Sequence, residues 1–241
     1  ISNNENKNFN YFGSQKYKGQ FNKIKSFKFS KLEKFNSLDV KPLILSDALL
    51  FFDKKGSLIK YNQNSKILWK KNFYSKNEKK LNPNLSIATK NDKLIIADNI
   101  SKFYSVDLNS GKLIWSQNNQ YPFNSEIKIY KDKFFVIDYN STLRCFNIDN
   151  GSECWNLNTE SSLTIPNSKY SLVIINDLII FNNSVGDITA VDASTGTIIW
   201  QLPTQSRSSI NQTYNYENSK LVTDGKSLFF SNNKNEFYSI D

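Results

Sequence analysis

Residues 103–115 read Phe-Tyr-Ser-Val-Asp-Leu-Asn-Ser-Gly-Lys-Leu-Ile-Trp, and the chain repeats this pattern. Asp107, Gly111 and Trp115 follow one another at intervals of four residues, with apolar runs on both sides. An Asp at the start of a turn accepts hydrogen bonds from backbone amides two residues further on. A Gly four residues later suits a backbone with positive φ, which a Cβ atom penalises. The stretch therefore predicts a tight turn between two β-strands.

Three further copies of the pattern occur, one complete, one with Asn in the first place and one weaker. They comprise Asp192, Gly196 and Trp200; Asn147, Gly151 and Trp155; and a shorter turn that ends at Trp69. The sequence contains four Trp residues, and all four occupy this one position, 40 to 46 residues apart. The chain is therefore built from an internal repeat.

Each tryptophan is preceded by the same layout of short apolar runs and polar turns. Runs of about five residues separated by Asn, Asp, Gly and Ser are typical of an antiparallel meander. A unit of 40 to 46 residues with about four strands is typical of a propeller blade. We expect each Trp to lie on the outermost strand of its blade and to bury its ring against the neighbouring blade.

The repeats resemble those of the PQQ-like, or quinoprotein-type, propeller family. That family carries an Asp, a Thr-Gly pair and a Trp at this spacing, and Thr195 with Gly196 matches the pair in full. Signatures of other propellers are missing, since the sequence has no Gly-His or Trp-Asp pair and no Gly-Gly pair. The resemblance extends over residues 38–241 and implies a ring of seven or eight blades.

We therefore predict an all-β fold, a β-propeller of four-stranded antiparallel blades with about five blades present. Residues 1–20 are expected to form a flexible N-terminal arm and residues 21–241 the propeller. The predicted parts of the propeller are a closure strand at 23–34 and blades at 38–75, 82–120, 121–160, 161–205 and 206–241. The last blade lacks its own fourth strand. Two interpretations stay open: a five-bladed ring closed by residues 23–34, or the first part of a larger ring.

The composition excludes several classes of site. The 241 residues include no His, so a Ser-His-Asp triad and a His metal ligand are both excluded. Two cysteines cannot form a four-Cys zinc site. The formal net charge is +9, but the Lys residues are scattered through turns and Arg is nearly absent. We expect no nucleic-acid partner and interpret the Lys excess as compositional, with a functional basic surface as the alternative.

The two cysteines lie on the third and fourth strands of one predicted blade. If Asn147 faces Ser152 across the turn, Cys145 faces Cys154 on the same side of the sheet. The pair could then form a cross-strand disulfide in an oxidising compartment. The alternative is two reduced thiols that pack as small apolar groups.

The dehydrogenases of the resembling family bind a quinone with calcium in the central funnel and commonly have an adjacent Cys-Cys pair. The cysteines of this chain are nine positions apart, and Glu126, Glu153 and Glu160 form no recognisable calcium site. We therefore predict that the chain is not an enzyme and has no catalytic, cofactor-binding or metal-binding residues.

The single-domain layout is most similar to the non-enzymatic family members that act in outer-membrane β-barrel protein assembly. That resemblance implies a periplasmic scaffold that binds a protein of the assembly machinery through loops of the propeller. Membrane association is expected only through a lipid anchor, as in a lipoprotein, that this chain does not carry. The alternative is a luminal or periplasmic ligand-sensing domain of a receptor, and a PQQ-dependent dehydrogenase is less favoured.

Overall fold

The computed structural model describes residues 5–8, 19, 42–162, 168–204, 219–232 and 235–241. These residues form five antiparallel sheets, in each of which the strands follow one another in chain order. Sheets 1 to 4 have four strands each, and sheet 5 has three in the described part of the chain. The prediction of an all-β fold made of four-stranded antiparallel blades is confirmed.

The strands are short, and hairpins join them within each sheet. Sheet 1 consists of β1 (Leu43–Ile44), β2 (Ala48–Phe52), β3 (Leu58–Asn62) and β4 (Ile67–Lys71). Sheet 2 consists of β5 (Leu85–Lys90), β6 (Lys93–Asp98), β7 (Lys102–Asp107) and β8 (Leu113–Asn118). Sheet 3 consists of β9 (Lys128–Tyr130), β10 (Lys133–Ile137), β11 (Thr142–Asn147) and β12 (Glu153–Asn158).

The two remaining sheets follow the same plan. Sheet 4 consists of β13 (Leu172–Ile175), β14 (Leu178–Asn182), β15 (Ile188–Asp192) and β16 (Ile198–Leu202). Sheet 5 consists of β17 (Val222–Thr223), β18 (Leu228–Ser231) and β19 (Phe237–Ile240). In the described part of the chain, short 3-10 helices span Glu5–Lys7 and Glu78–Leu81. The predicted closure strand at 23–34 lies outside the described residues and stays a prediction.

The hydrophobic core lies between neighbouring sheets. Alternate residues of a strand point to opposite faces, so a strand between two other sheets must be apolar on both faces. In β6, Leu94 and Ile96 pack towards sheet 1, whereas Ile95 and Ala97 pack towards sheet 3. Similar clusters join sheet 3 to sheet 4 and sheet 4 to sheet 5. This arrangement explains why the second strands are continuous apolar runs.

The first strands of neighbouring sheets come close to one another: β5 to β9, β9 to β13, and β13 to β17. These are the inner strands. The fourth strands β4, β8, β12 and β16 each pair with one strand of their own sheet and form its outer edge. The predicted position of the tryptophans on the outermost strand therefore corresponds to β4, β8, β12 and β16 in the structure.

Three tryptophans of the repeat pack on the glycine of the next sheet's turn. The contacts are Trp69 with Gly111, Trp115 with Gly151, and Trp155 with Gly196. Gly151 has a φ of 73°, and a Cβ built on it would lie 2.7 Å from Trp115 Cζ3. Glycine is therefore required here for two reasons, since the backbone conformation and the tryptophan ring both exclude a side chain.

Two of these tryptophans also form a hydrogen bond to the next sheet through the indole nitrogen. Trp69 Nε1 donates to the carbonyl of Leu108 at 3.2 Å, and Trp115 Nε1 donates to the carbonyl of Ile148 at 3.0 Å. Both acceptors belong to the turn of the following sheet. Each of these tryptophans thus fixes its neighbour by apolar packing and by one hydrogen bond.

A β-bulge occurs at the same place in all four complete sheets. In each sheet the residue immediately before Trp has no cross-strand partner, and these residues are Leu68, Ile114, Cys154 and Ile199. The bulge changes the pairing that the sequence predicted for the cysteines. Cys145 pairs with Trp155 and not with Cys154, so the expected facing of the two cysteines is wrong. The extra residue in β12 displaces Cys154 by one position.

Both cysteines are free thiols in the structure. Cys145 is buried in the core between sheets 3 and 4, and Cys154 is exposed. Burial raises the pKa of the Cys145 thiol, and the neighbouring Cys154 raises it further. The disulfide between them stays a prediction.

Replacement of Gly151 by Ala tests the contact between sheets. The variant Gly151→Ala should lower the free energy of unfolding by about 2–4 kcal/mol, from left-handed backbone strain and from overpacking against Trp115. Trp115→Ala should cost about 3 kcal/mol. Because both changes remove one contact, the double variant should lose less than the sum by at least about 0.5 kcal/mol in urea unfolding. Simple additivity would contradict the contact.

Thiol labelling tests the environment of the cysteines. In native protein at neutral pH, iodoacetamide should alkylate exposed Cys154 and spare buried Cys145 until the chain is unfolded, because the thiolate is the reactive form. Peptide mass spectrometry identifies the labelled residue. If neither cysteine reacts, even after unfolding, until a reductant is added, the two form a disulfide and the free-thiol arrangement is incorrect.

Candidate protein-binding rim

The turns of the repeat lie together at one end of the strands. In a four-stranded antiparallel sheet, the turn between strands one and two and the turn between strands three and four are at the same end. We call this end of the described sheets the turn rim. It contains the turns that follow Asp107, Asn147 and Asp192, and the two fully described links, from sheet 1 to sheet 2 and from sheet 2 to sheet 3, lie at the opposite end.

An acidic or amide side chain organises each of these turns. Asp192 Oδ1 accepts bonds from the Ser194 amide at 2.9 Å, the Ser194 hydroxyl at 2.5 Å and the Thr195 amide at 2.9 Å. Asp107 Oδ1 accepts in the same way from the amide and hydroxyl of Ser110. Asn147 has no charge, and its Oδ1 accepts from the Asp149 amide at 2.8 Å.

The hydrogen bonds stabilise the ionised form of the two carboxyl groups. The Ser194 hydroxyl and the amides around it lower the pKa of Asp192 to about 2. The Ser110 hydroxyl and amide lower the pKa of Asp107. These carboxylates are therefore structural acceptors, and a depressed pKa makes them poor proton donors or acceptors near neutral pH.

In sheets 2, 3 and 4, a backbone hydrogen bond joins the two turns of the sheet at the rim. In sheet 2 the Leu108 amide donates to the carbonyl of Asp92 at 2.7 Å. In sheet 3 the Ile148 amide donates to the carbonyl of Asp132 at 3.0 Å. Sheet 4 repeats the bond between Ala193 and Asp177 at 2.8 Å. The turn rim is therefore a fixed surface in these three sheets.

Lysine side chains connect neighbouring sheets along the rim. Lys133 Nζ of sheet 3 donates to the carbonyl of Ser194 in sheet 4 at 3.1 Å. Lys93 of sheet 2 forms an ion pair with Asp149 of sheet 3. Lys93 and Lys133, the first residues of β6 and β10, thus connect one sheet to the next, although exposed pairs of this kind contribute little stability.

Pairs of exposed aliphatic side chains lie beside the turns. They occupy the two positions before the tryptophan in sheets 1, 2 and 4: Ile67 and Leu68, Leu113 and Ile114, Ile198 and Ile199. Between 43% and 55% of the surface of each side chain is exposed. In sheet 3 the same two positions carry Glu153 and Cys154. The repeat predicted these positions as part of a strand but gave no signal that both would be exposed, since exposure depends on the bulge.

The acidic residues considered for a calcium site do not come together. Glu126 pairs with Lys128 and Lys220, and Glu153 pairs with Arg144, whereas Glu160 is exposed. Among the described residues no three His, Cys, Asp or Glu side chains are placed to hold a metal ion. The described residues therefore offer no set of side chains that fits the calcium ion of the resembling dehydrogenases.

A small cavity opens between sheets 2 and 3. Its volume is about 80 Å³, and its polar lining includes Asp98, Asn124, Ser125 and Tyr139. Asp98 is buried, and burial raises the pKa of its carboxyl although Tyr74 donates to it at 2.5 Å. Pockets for cofactor-sized ligands measure about 300–1,000 Å³. The cavity is therefore too small for such a ligand.

Sequence reasoning missed one set of polar contacts. Residues 5–8 belong to the predicted arm, and the structure places Asn6, Lys7 and Asn8 against the inner strands of sheets 3 to 5. No pattern in the sequence indicates these contacts, because they join residues more than a hundred positions apart.

Titration of Asp192 tests the geometry of the turn rim. Carboxyl carbon NMR should give a pKa of about 2 for Asp192 in the folded chain, and Ser194→Ala should raise it towards 3.8 because a hydroxyl donor is lost. The folded pKa is below the unfolded one, so the stabilisation is present above pH 4 and is lost as the pH falls towards 2. An unchanged pKa in Ser194→Ala would show that the hydroxyl does not bind the carboxylate.

Comparison with known proteins places these features in a family. A family model described as outer membrane protein assembly factor BamB matches residues 30–241. The outer membrane protein assembly factor BamB of Shewanella oneidensis is 28% identical over 134 residues, which are 52% of this chain and 30% of that protein. No helix among the described residues has the length and apolar character needed to cross a membrane.

Among solved structures that share the fold are a member of this family and a dehydrogenase. BamB from Moraxella catarrhalis superposes with a TM-score of 0.69 at 17% identity, over 86% of this chain and 62% of that chain. A europium-containing methanol dehydrogenase superposes with a TM-score of 0.65 at 12% identity, over 83% of this chain and 48% of that chain. At these identities the likeness shows the propeller fold alone.

The chain spans less than two thirds of the length of the relatives that it matches. The family model nevertheless covers most of the chain, from the predicted closure strand to the third strand of sheet 5. The chain belongs to the family of outer membrane protein assembly factor BamB.

Proposed function

We propose that this chain is a non-catalytic scaffold in outer-membrane β-barrel protein assembly and that it binds a protein of the assembly machinery through the turn rim. The observation that carries the proposal is the repeated pair of exposed aliphatic side chains beside the turns, in a chain of the BamB family. Contiguous exposed apolar patches with a polar rim are typical of protein-binding surfaces.

The rigidity of the rim supports this role. Backbone bonds join the turns within sheets 2, 3 and 4, and Trp69, Trp115 and Trp155 fix each turn to the sheet before it. A surface that is already ordered loses little conformational entropy on binding. The same frame allows the turns to differ in sequence while their positions stay fixed.

The bulges favour recognition through side chains. An outer strand with a regular backbone could form backbone hydrogen bonds with a strand of a partner. A bulge bends the edge and interrupts the row of free backbone groups. The aliphatic pairs at the bulges, such as Ile198 and Ile199, remain available as contacts. We infer that a partner packs against these side chains at the rim.

The proposed absence of catalysis rests on how the titratable groups are used. The depressed pKa values of Asp107 and Asp192 and the ion pairs of Glu126 and Glu153 assign these carboxylates to turns and salt bridges. The likeness to the methanol dehydrogenase is one of fold, and fold does not imply function. No feature of the described residues favours the ligand-sensing alternative.

The proposed location follows from the proposed role. A component of outer-membrane assembly acts in the periplasm. Attachment to the outer membrane would require a lipid anchor, as in a lipoprotein, and we propose no other form of membrane association and no nucleic-acid partner.

The double variant Ile198→Ser with Ile199→Ser tests the rim as the binding surface. Biolayer interferometry with purified assembly machinery from the same organism should show binding of the wild-type chain and at least tenfold weaker binding of the variant. Both residues are about half exposed, so the free energy of unfolding should change by less than about 1 kcal/mol.

Leu81→Ser provides the matched control. Leu81 is 62% exposed but lies in the link between sheets 1 and 2, at the end of the strands opposite the turn rim. This variant should bind like the wild-type chain. Equal affinities of the wild-type chain and the double variant would exclude the rim of sheet 4, and a wild-type chain that does not bind would refute the proposed function.

A further inference from the structure

We propose that the inner ends of sheets 3, 4 and 5 form a peptide-binding site that recognises an asparagine side chain. The occupant in this structure is the chain's own N-terminal segment, residues 5–8. The site lies at the inner strands and does not involve the outer-strand aliphatic pairs of the turn rim. It is therefore independent of the proposed function.

The carboxamide of Asn8 is bound by three sheets at once. Its Nδ2 donates to the carbonyls of Leu172 in sheet 4, at 3.1 Å, and Leu221 at the start of sheet 5, at 2.9 Å. Its Oδ1 accepts from Lys128 Nζ in sheet 3 at 2.6 Å. A longer contact of 3.4 Å joins Nδ2 to Ser171 Oγ. A carboxamide offers two donors and an acceptor on one group, and the site uses all of them.

The positive charge in the site is the ammonium group of Lys128, and neighbouring residues of the sheets hold it in place. The Lys128 side chain is 3% exposed, and its ammonium group pairs with Glu126 at 3.2 Å. Glu126 also pairs with Lys220 at 3.0 Å. A buried ammonium group needs several acceptors, and Asn8 Oδ1 supplies one of them. The Lys128 ammonium group is thus already positioned to bind a carbonyl oxygen.

The flanking residues make further contacts with inner strand β9 and with the turn that follows inner strand β17. Asn6 Nδ2 donates to the carbonyl of Ile129 at 2.8 Å, and Lys7 Nζ donates to the carbonyl of Asp224 at 3.2 Å. The site therefore recognises a short segment and not only a single side chain.

The backbone at residue 8 imposes a second requirement. Asn8 has a φ of 53°, in the left-handed region that asparagine adopts more readily than most residues other than glycine. Asparagine thus meets the backbone requirement and the carboxamide requirement together. Glycine would meet the backbone requirement alone, which makes Asn8→Gly the variant that isolates the side chain.

The ligand class follows from these contacts. The site binds a short peptide segment that places an asparagine in a left-handed conformation, with a polar or basic residue before it. The occupant that the structure identifies is tethered to the site by the chain itself, so it binds at a high effective concentration.

Binding of a separate peptide to the full chain tests the site. A fluorescent synthetic peptide of residues 1–12 is added to the wild-type chain and to the Asn8→Gly chain, and anisotropy is measured. In the wild-type chain the tethered segment competes for the site, so the peptide should bind the variant at least tenfold more tightly. The same peptide with Asn8→Gly should bind at least tenfold more weakly, since one of its lost hydrogen bonds involves a charged group.

Hydrogen exchange gives a second measurement that does not depend on a separate peptide. Amides of residues 5–8 should exchange at least tenfold faster in the Asn8→Gly chain than in the wild-type chain. The matched control is Asn109→Gly, at an exposed asparagine in a turn of sheet 2, which should behave as wild type in both assays.

Two results would overturn the proposal. One is a peptide that binds the Asn8→Gly chain no better than the wild-type chain. The other is equal affinity of the two peptides, which would show that the asparagine side chain is not recognised. Because these assays contain no partner protein, their outcome is separate from that of the rim variants.

Discussion

The contact between a tryptophan ring and a glycine of the next sheet is the constraint on which the rest of the structure depends. The tryptophan ring occupies the space that a Cβ atom would take. The turn can therefore approach the neighbouring sheet this closely only at a glycine. Each of the three turns that meets a tryptophan in this way carries its glycine at the same place, four residues after Asp107, Asn147 or Asp192. The contact also aligns the apolar faces of adjacent sheets and leaves the turns on a common rim.

The bulge before each tryptophan affects both the packing of the tryptophan and the exposure of the residues that precede it. It allows the tryptophan to pair with the third strand while two preceding residues oppose a single partner. One consequence is an irregular outer edge that is a poor template for another strand. A second is the pair of aliphatic side chains left in solvent beside the turns of sheets 1, 2 and 4, where we propose that a protein partner contacts them.

The sequence predicted the sheets because apolar periodicity and turn residues are local signals. It could not predict that Cys145 pairs with Trp155, since a bulge adds a residue without changing the pattern of residue types. The aliphatic pairs looked like ordinary strand positions for the same reason. The contacts of Asn8 could not be predicted at all, because they depend on carbonyl groups more than 160 residues away.

The contact between tryptophan and glycine has a direction, since sheets 2 and 3 each present a glycine turn to the sheet before them and a tryptophan ring to the sheet after them. Such a head-to-tail interface is heterologous. By itself it does not determine how many blades follow one another. Gain or loss of one complete repeat would recreate the same junction on both sides. The architecture is thus suited to change by duplication of whole blades, with every internal junction preserved.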